Sequence, residues 1–448
     1  MPKTPHTQGL YQHSTTTTPG NDTEHGVEAD KVQVNLFFDG TLNNYFNVTT
    51  QDAEIRKKHG GEDSSYENAL SNVARMWEPM HLDRDGPDIG VYIEGMGTTR
   101  DQDDSLRGYA LGTGETGITE RAQQAFGPLK DTVADKRGKR SPPAVLELNL
   151  FGFSRGAATA RHFASLLRNP EEIAKHFTDD WSGVHIEVNF VGLFDTVSSE
   201  GLAYDNDVHD LGLRFVNDAA RRVFHVVALD EYRKNFSLTT IASACQATSL
   251  NEGVRAPMGC ELGIPGAHSD VGGGYRSGTD KVEAPEVRDL PATQKIQTEQ
   301  GLATVPGPHD FVYAKGWYGP QDHHPSRWHP NRHQRQVQGD YYKVGLSIMV
   351  DMAERYTTTA YSERFKALML SQVHDVGQVQ TQLRAFAKAK VFAPGQPQQL
   401  DWPLDTHLGL EPAKAFRHAY LHVSFSDSTG MGPRYKNDTE LERLHVAG

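Results

Sequence analysis

Val-Leu-Glu-Leu-Asn-Leu-Phe-Gly-Phe-Ser-Arg-Gly-Ala-Ala-Thr-Ala-Arg, residues 145–161, runs an apolar strand into G-x-S-x-G and then at once into a helix of small residues. That order is a nucleophile elbow. Gly152 and Gly156 remove Cβ atoms where strand and helix crowd, so Ser154 sits on a sharp turn with its hydroxyl above the sheet. The N–H of Arg155 then faces a reacting carbonyl oxygen, and the positive end of the following helix dipole points to the same place. The expected fold is α/β, α/β-hydrolase-like, with a mainly parallel, doubly wound sheet and helical or irregular insertions.

The flanking chain fits that fold. Val32–Phe38 reads as a buried strand ending in Asp39-Gly40-Thr41, 64–79 as a helix and Ile89–Glu94 as the next strand. Residues 101–120, rich in Asp and Gly, are expected to form a loop bordering the site, followed by a helix from about Thr119 into the 130s. Val184–Phe194 turns continuously apolar, as a central parallel strand does, and ends at Asp195. Residues 216–230 are read as a helix, and about 239–246 as a short strand. From 276 to 340 the chain is rich in Pro, Gln and His with little periodicity. An amphipathic helix is expected at 341–356, and the remainder mixes helix, at about 361–390, with a Pro-broken C-terminal segment. These segments divide the chain into a flexible arm (1–30), a catalytic core (31–275) and a region (276–448) in which an irregular insertion and a helical cap complete the fold.

Composition narrows the function. With 448 residues, 37% hydrophobic and 23% charged, the chain is long enough for one large domain with insertions. A formal net charge of −13 argues against a nucleic-acid binder. There is no run of about eighteen apolar residues, as a membrane span requires, and no apolar signal core at the N-terminus. The chain is therefore expected to be made in the cytoplasm, and any action elsewhere requires a machine that uses no cleaved signal. Cys245 and Cys260 are read as a free pair or a disulfide.

A serine needs a histidine to take its proton and a carboxylate to orient that histidine. The chain order Ser, acid, His selects Ser154, Asp195 and His268. His268 stands on a loop before Gly272-Gly273-Gly274. Asp270, two residues beyond it, competes with Asp195 for the orienting role, while His225 is read as a core or polar-face histidine. The oxyanion donors are the N–H of Arg155 and one from Gly40 or Thr41, with Asp39 in support. Leu36–Leu42 also resembles the first motif of haloacid-dehalogenase phosphatases, but Phe37 stands where their aspartyl nucleophile belongs, and that reading fails. Asp322, His323, His324, His329 and His333 are too irregularly spaced for a metal site and are read as a solvated loop. The apolar helix containing Leu346, Ile348, Met349, Val350 and Met352 suits a membrane-facing cap, or more simply core.

Phe37–Asn43, Gly152–Ala157, Gly192–Val197 and Pro265–Tyr275 occur in that order, supported by Glu94–Thr98 and Ala228–Arg233. In this the chain resembles the α/β-hydrolase-like family that contains the first class of type VI secretion lipase effectors. The resemblance implies a phospholipase A acting on bacterial membrane glycerophospholipids through a Ser-Asp-His triad, without metal or organic cofactor. It implies delivery into a rival's periplasm, peripheral membrane contact only, and two protein partners: a cognate immunity protein and a secretion spike protein. Two readings stand beside it. One is a soluble carboxylesterase or thioesterase; the other is a non-enzymatic module that docks a spike.

Overall fold

The structure, a computed structural model, describes residues 30–60, 64–105, 117–200, 205–206, 208–251, 253–275, 286–298, 301–426, 431–436 and 440–448. The expected flexible arm, apart from Asp30, and the middle of the 101–120 loop lie outside the described residues.

Among the described residues, seven strands form one sheet: β1 (Lys31–Phe38), β2 (Gly90–Ile93), β3 (Val145–Phe153), β4 (His185–Phe194), β5 (Arg222–Ala228), β6 (Gly259–Ile264) and β7 (Gln399–Asp401). Their spatial order is β7-β6-β5-β4-β3-β1-β2, and every neighbouring pair is parallel. A parallel sheet must be covered on both faces, which explains why its strands read as apolar runs. Alternation along the strands builds two cores. Phe37, Phe151 and Phe190 face one side. There Phe37 stacks on Phe151 at 5.0 Å, beneath α1 (Asn72–Leu82), α5 (Tyr342–Tyr356) and α6 (His374–Lys390). Leu36, Phe38, Leu148, Leu150 and Leu193 face the other side, against α2 (Ile118–Gln124), α3 (Phe126–Arg137) and α4 (Arg155–Leu166). This is the doubly wound arrangement.

Within the first core a buried polar ladder fixes register across the central strands. Asn189 Nδ2 donates to Asn149 Oδ1 at 3.0 Å, and Asn149 Nδ2 donates to Asn35 Oδ1 at 2.9 Å. The Thr359 hydroxyl also donates to Asn35 Oδ1, tying the C-terminal half of the chain to the strands. With their partners in place these amides do not incur the cost of an unsatisfied buried polar group.

Residues 216–230 differ from expectation. They are not a helix, because 222–228 form the fully interior strand β5. The segment at 239–246 divides into a strand, Leu238–Thr240, and a short helix, Ala242–Gln246. The helix expected over 361–390 is broken into Glu363–Leu368 and α6. The long apolar helix α5 is core: it is buried from Val344 to Val350 and packs on β4, β5, α1 and α6.

Beyond residue 285 the chain is built rather than irregular. Glu286–Asp289 pairs with Arg332–Arg335, and Thr293–Thr298 with Gly301–Pro306. Buried Glu286 meets Arg335, whose Nη1 donates to the Arg417 carbonyl at 2.9 Å and Nη2 to that of Leu421 at 2.5 Å. Burial pushes the Glu286 carboxyl up, but Arg335 and Arg288 outweigh it and hold it down at about 2. Both cysteines are free thiols.

Candidate active site

Open parallel sheets bind their ligands beyond the carboxyl ends of the strands. Four strands end here in residues singled out by sequence, and a fifth ends beside them. β1 delivers Asp39, β3 Ser154, β4 Asp195 and β6 His268, and β5 runs into Asp230 and Glu231.

The elbow is made by close approach. A Cβ on Gly156 would lie 2.2 Å from the Asp39 carbonyl oxygen, and one on Gly152 would lie 2.6 Å from Ala157 Cα. Strand, helix and the 38–40 loop therefore meet without intervening side chains. Between the two glycines Ser154 takes φ 59° and ψ −128°, a region that L-residues avoid. Its N–H donates to the Phe194 carbonyl at 3.0 Å, and its carbonyl accepts from Val197 N–H at 3.3 Å, so the elbow is fastened to the Asp195 turn.

Asp195 also has a positive φ, 42°, and is fully buried. Its carboxylate meets four donors. Oδ2 lies 2.5 Å from His268 Nδ1 and 2.8 Å from Arg443 Nη2, while Oδ1 accepts from Ala228 N–H at 2.9 Å and Arg443 Nη1 at 2.5 Å. Burial would raise this carboxyl's pKa, but Arg443 and the imidazole override it and hold it far below the usual carboxylate range. An ionised Asp195 accepts the Nδ1 proton, which leaves Nε2 of His268 as the basic nitrogen.

His268 is buried between aromatic rings, with Phe153 at 4.6 Å and Phe236 at 5.2 Å. Phe153 immediately precedes Ser154, so His268 and Ser154 share this wall. Gly272 makes the fit possible, since a Cβ there would lie 1.9 Å from the Phe153 ring. Burial lowers the His268 pKa, with Asp195 opposing it. The backbone N–H of His268 donates to Glu231 Oε2 at 3.3 Å, and Glu231 is paired with Arg233 at 2.7 Å.

Of the two carboxylates left open by sequence, Asp195 is the one on the imidazole. Asp270 instead accepts from Ala267 N–H at 2.9 Å and His422 N–H at 3.0 Å, and faces His422 Nδ1 at 2.6 Å. His225 lies in the core, its Nδ1 2.9 Å from Glu261. Its Nε2 accepts the Thr196 N–H at 3.0 Å, which braces the residue after Asp195.

The loop after β1 is fixed to the loop after β2. Leu42 N–H donates to Met96 O and Gly95 N–H to Asn43 O, each at 3.0 Å. Gly40 N–H is held by Asp39 Oδ1 at 2.7 Å. Thr41 Oγ1 is buried without a hydrogen-bond partner among the described residues. Asp39 also accepts from Tyr92 OH at 2.5 Å. Burial raises its pKa to about 6, against the lowering effect of Ser71, Tyr92 and Gly40.

The native state therefore binds the Asp39 proton more tightly than the unfolded chain, and stability falls as pH rises from about 4 to about 6. The span of roughly two units corresponds to about 3 kcal/mol. Urea unfolding of wild type and Asp39→Asn at pH 4.5 and 7.5 checks this. The variant gains relative to wild type at the higher pH; a constant difference between the two proteins would refute it.

Asp322 pairs with His418 at 3.0 Å, and His333 is buried against Tyr313 OH at 2.8 Å with His323 stacked on its ring. Among the described residues no group of three or more His, Cys, Asp or Glu side chains is placed to hold a metal, and no helix is long and apolar enough to cross a membrane.

Fold and elbow together define an α/β-hydrolase-like protein with a serine at the strand–helix turn. Residues 169–293, which include Asp195 and His268, match the family model of the Tle1-like catalytic domain of type VI secretion phospholipase effectors. The solved structure of the Tle1 effector bound to the VgrG spike of the type VI secretion system has the same fold, with a TM-score of 0.54 and 20% identity over 96% of this chain and 98% of that one. An uncharacterized protein from Pseudomonas aeruginosa aligns over 81% of this chain and 51% of its own, at 18% identity and a TM-score of 0.42, too low to carry an argument. No curated protein matches the chain. The resemblance read from the ordered motifs to the type VI lipase effectors thus holds.

Arg443 was not found by sequence reasoning. It lies 248 residues from Asp195 in a Pro-broken segment with no local motif, so no sequence signal pointed to it.

Proposed function

We propose that this chain is a serine phospholipase A that hydrolyses acyl esters of bacterial membrane glycerophospholipids, and an antibacterial effector of a type VI secretion system. The observation that carries the reading is the 2.5 Å contact of Asp195 with His268 Nδ1, beside a serine held at positive φ on the elbow. Ser154 Oγ attacks the acyl carbonyl while His268 Nε2 takes its proton. Asp195 holds the ring in the required tautomer and stabilises the imidazolium. The Arg155 N–H and the 40–41 loop receive the developing oxyanion. Thr41 is the donor chosen there, because the Gly40 N–H is engaged by Asp39. His268 then returns the proton to the departing glycerol oxygen, leaving an acyl-enzyme. Water, activated by the same base, releases the fatty acid, and lysophospholipid is the other product. The sequence of steps needs no metal or organic cofactor.

The family match supports the substrate class, and the likeness in fold to an effector bound to the VgrG spike supports docking on a spike; delivery to a target periplasm belongs to the same reading. A cognate immunity protein in the producing cell follows from the same reading, as does peripheral rather than integral contact with the bilayer.

The test is fatty-acid release from phospholipid vesicles carrying different chains at the two glycerol positions, with wild type compared with Ser154→Ala by mass spectrometry. Release that vanishes in the variant supports the proposal and identifies the position cut. Hydrolysis of short soluble esters without action on vesicles would replace it with a soluble carboxylesterase or thioesterase. Silence on both substrates would leave a spike-docking module.

A further inference from the structure

The C-terminal segment enters the site from outside the sheet. Residues His445–Ala447 pair in parallel with Leu238–Thr240, Leu238 N–H donates to Leu444 O at 2.8 Å, and Ser243 N–H donates to Gly448 O at 3.0 Å. These bonds fix the backbone after Arg443, and Glu442 N–H, donating to the Arg434 carbonyl at 3.1 Å, fixes it before. Its Nε donates to the Phe236 carbonyl at 2.7 Å, which aims the planar end of the side chain at Asp195. Nη1 and Nη2 then take one carboxylate oxygen each, at 2.5 and 2.8 Å. The side chain is 4% exposed.

We propose that Arg443 is a positioning residue of the hydrolytic site, which sets the plane of the Asp195 carboxylate against His268 and tempers its negative charge. The inference rests on the triad reading above. A two-pronged guanidinium fixes a carboxylate's orientation as a single donor cannot, because rotation about the Cβ–Cγ bond breaks both contacts together. With Ala228 N–H on Oδ1, the free lone pair of Oδ2 is left facing His268 Nδ1. The charge effect is separate. A cation on the far side of Asp195 offsets part of the field that would stabilise an imidazolium, so His268 remains a free base to lower pH. Among the described residues, the other charged groups acting on the ring are Arg233 and Glu231 from the loop after β5, while Tyr275 interacts with Arg233, Asp270 and Glu231, and His445 with Arg443 and Asp195. Among the described residues, only Arg443 bridges both Asp195 oxygens.

Arg443→Gln and Arg443→Lys separate the two effects from a purely structural role. Turnover of a soluble ester is measured per active serine, counted with a phosphonate that labels Ser154. The His268 imidazole is titrated by NMR and assigned by its loss in His268→Gln. In Arg443→Gln, kcat falls about a hundredfold, as a misplaced reacting group predicts, with little change in KM. The His268 midpoint and the acid limb of kcat/KM both rise by about one pH unit. Arg443→Lys keeps the charge and loses the fork, so the midpoint returns to the wild-type value while kcat recovers only in part.

A folded Arg443→Gln with wild-type kcat and midpoint overturns the proposal. If that variant does not fold, Arg443→Lys decides: reduced kcat with an unmoved midpoint supports the proposal, and full kcat overturns it. Failure of both to fold also overturns it, because Arg443 is then a staple of the tail. The NMR midpoint needs no turnover. An inactive wild type would therefore refute the hydrolase reading while the Arg443 inference is still tested.

Discussion

Ser154→Ala lowers ester turnover by about a millionfold, the scale on which a triad fails when its nucleophile is removed. His268→Ala costs nearly as much, and the double variant is no worse than either, because in the proposed mechanism the two side chains act in one proton transfer. What remains comes from the oxyanion donors and substrate binding. Stability behaves differently at the same residue. Ser154 occupies φ 59° and ψ −128° in either variant that retains a Cβ, so Ser154→Ala leaves the turn as strained as before. Ser154→Gly removes that strain, on the order of 1–3 kcal/mol, but loses about 0.5–1 kcal/mol to the greater freedom of the unfolded chain. The glycine variant is therefore inactive and about 1 kcal/mol more stable than the alanine variant. Urea unfolding of the two proteins reads that difference directly. If the glycine variant were the less stable, the elbow would not store strain, and the geometric basis for an activated Ser154 would weaken.

Much of this site was legible because its chemistry is encoded locally. The glycines at 152, 156 and 272 stand where a Cβ would strike backbone or the Phe153 ring, and an apolar run before G-x-S-x-G admits few other readings. Asp195 and His268 were found from chain order, each just after an apolar strand. Where the reading failed, the local signal was ambiguous. Arg222–Ala228 is so apolar that helix and interior strand cannot be told apart by periodicity, and the alanines at 219 and 220 extend a helical pattern into it. Burial on both faces decides for strand, and burial is a property of the assembled sheet. The same holds for His225, whose partners are Glu261 within β6 and Thr196 just beyond the end of β4.

The region after 285 was opaque for a related reason. Its anchors, Glu286 with Arg335 and Arg335 with the carbonyls near residue 420, join points far apart in sequence through charged side chains. Hydropathy carries no trace of such contacts. Asp270 illustrates the limit within the site itself. It stands two residues from His268 and is a reasonable orienter on sequence, yet it faces the other way because His422 arrives from the C-terminal half to receive it.

Asp195→Asn separates what the acid does for chemistry from what it does for the fold. Asparagine is isosteric and tolerates the positive φ of 42°, so the backbone turn survives. Turnover falls about ten-thousandfold, because an amide facing Nδ1 no longer enforces the tautomer that leaves Nε2 basic. Stability falls as well, by about 3–5 kcal/mol, since the buried Arg443 guanidinium loses its bidentate counter-charge. The double variant Asp195→Asn/Arg443→Met recovers a large part of that stability and none of the activity, because it is the orphaned cation, not the absent carboxylate, that weighs on the fold. Additive losses in the double variant would show that the ion pair is not what couples the tail to the site. The pH dependence has a definite sign. Asp195 is held far below its unfolded pKa, so its contribution is fully present above about pH 4 and is lost as pH falls from there toward the folded value. Wild type therefore loses stability on acidification below pH 4 more steeply than the double variant. Parallel acid-unfolding curves would mean that Asp195 is not ionised and paired in the native protein.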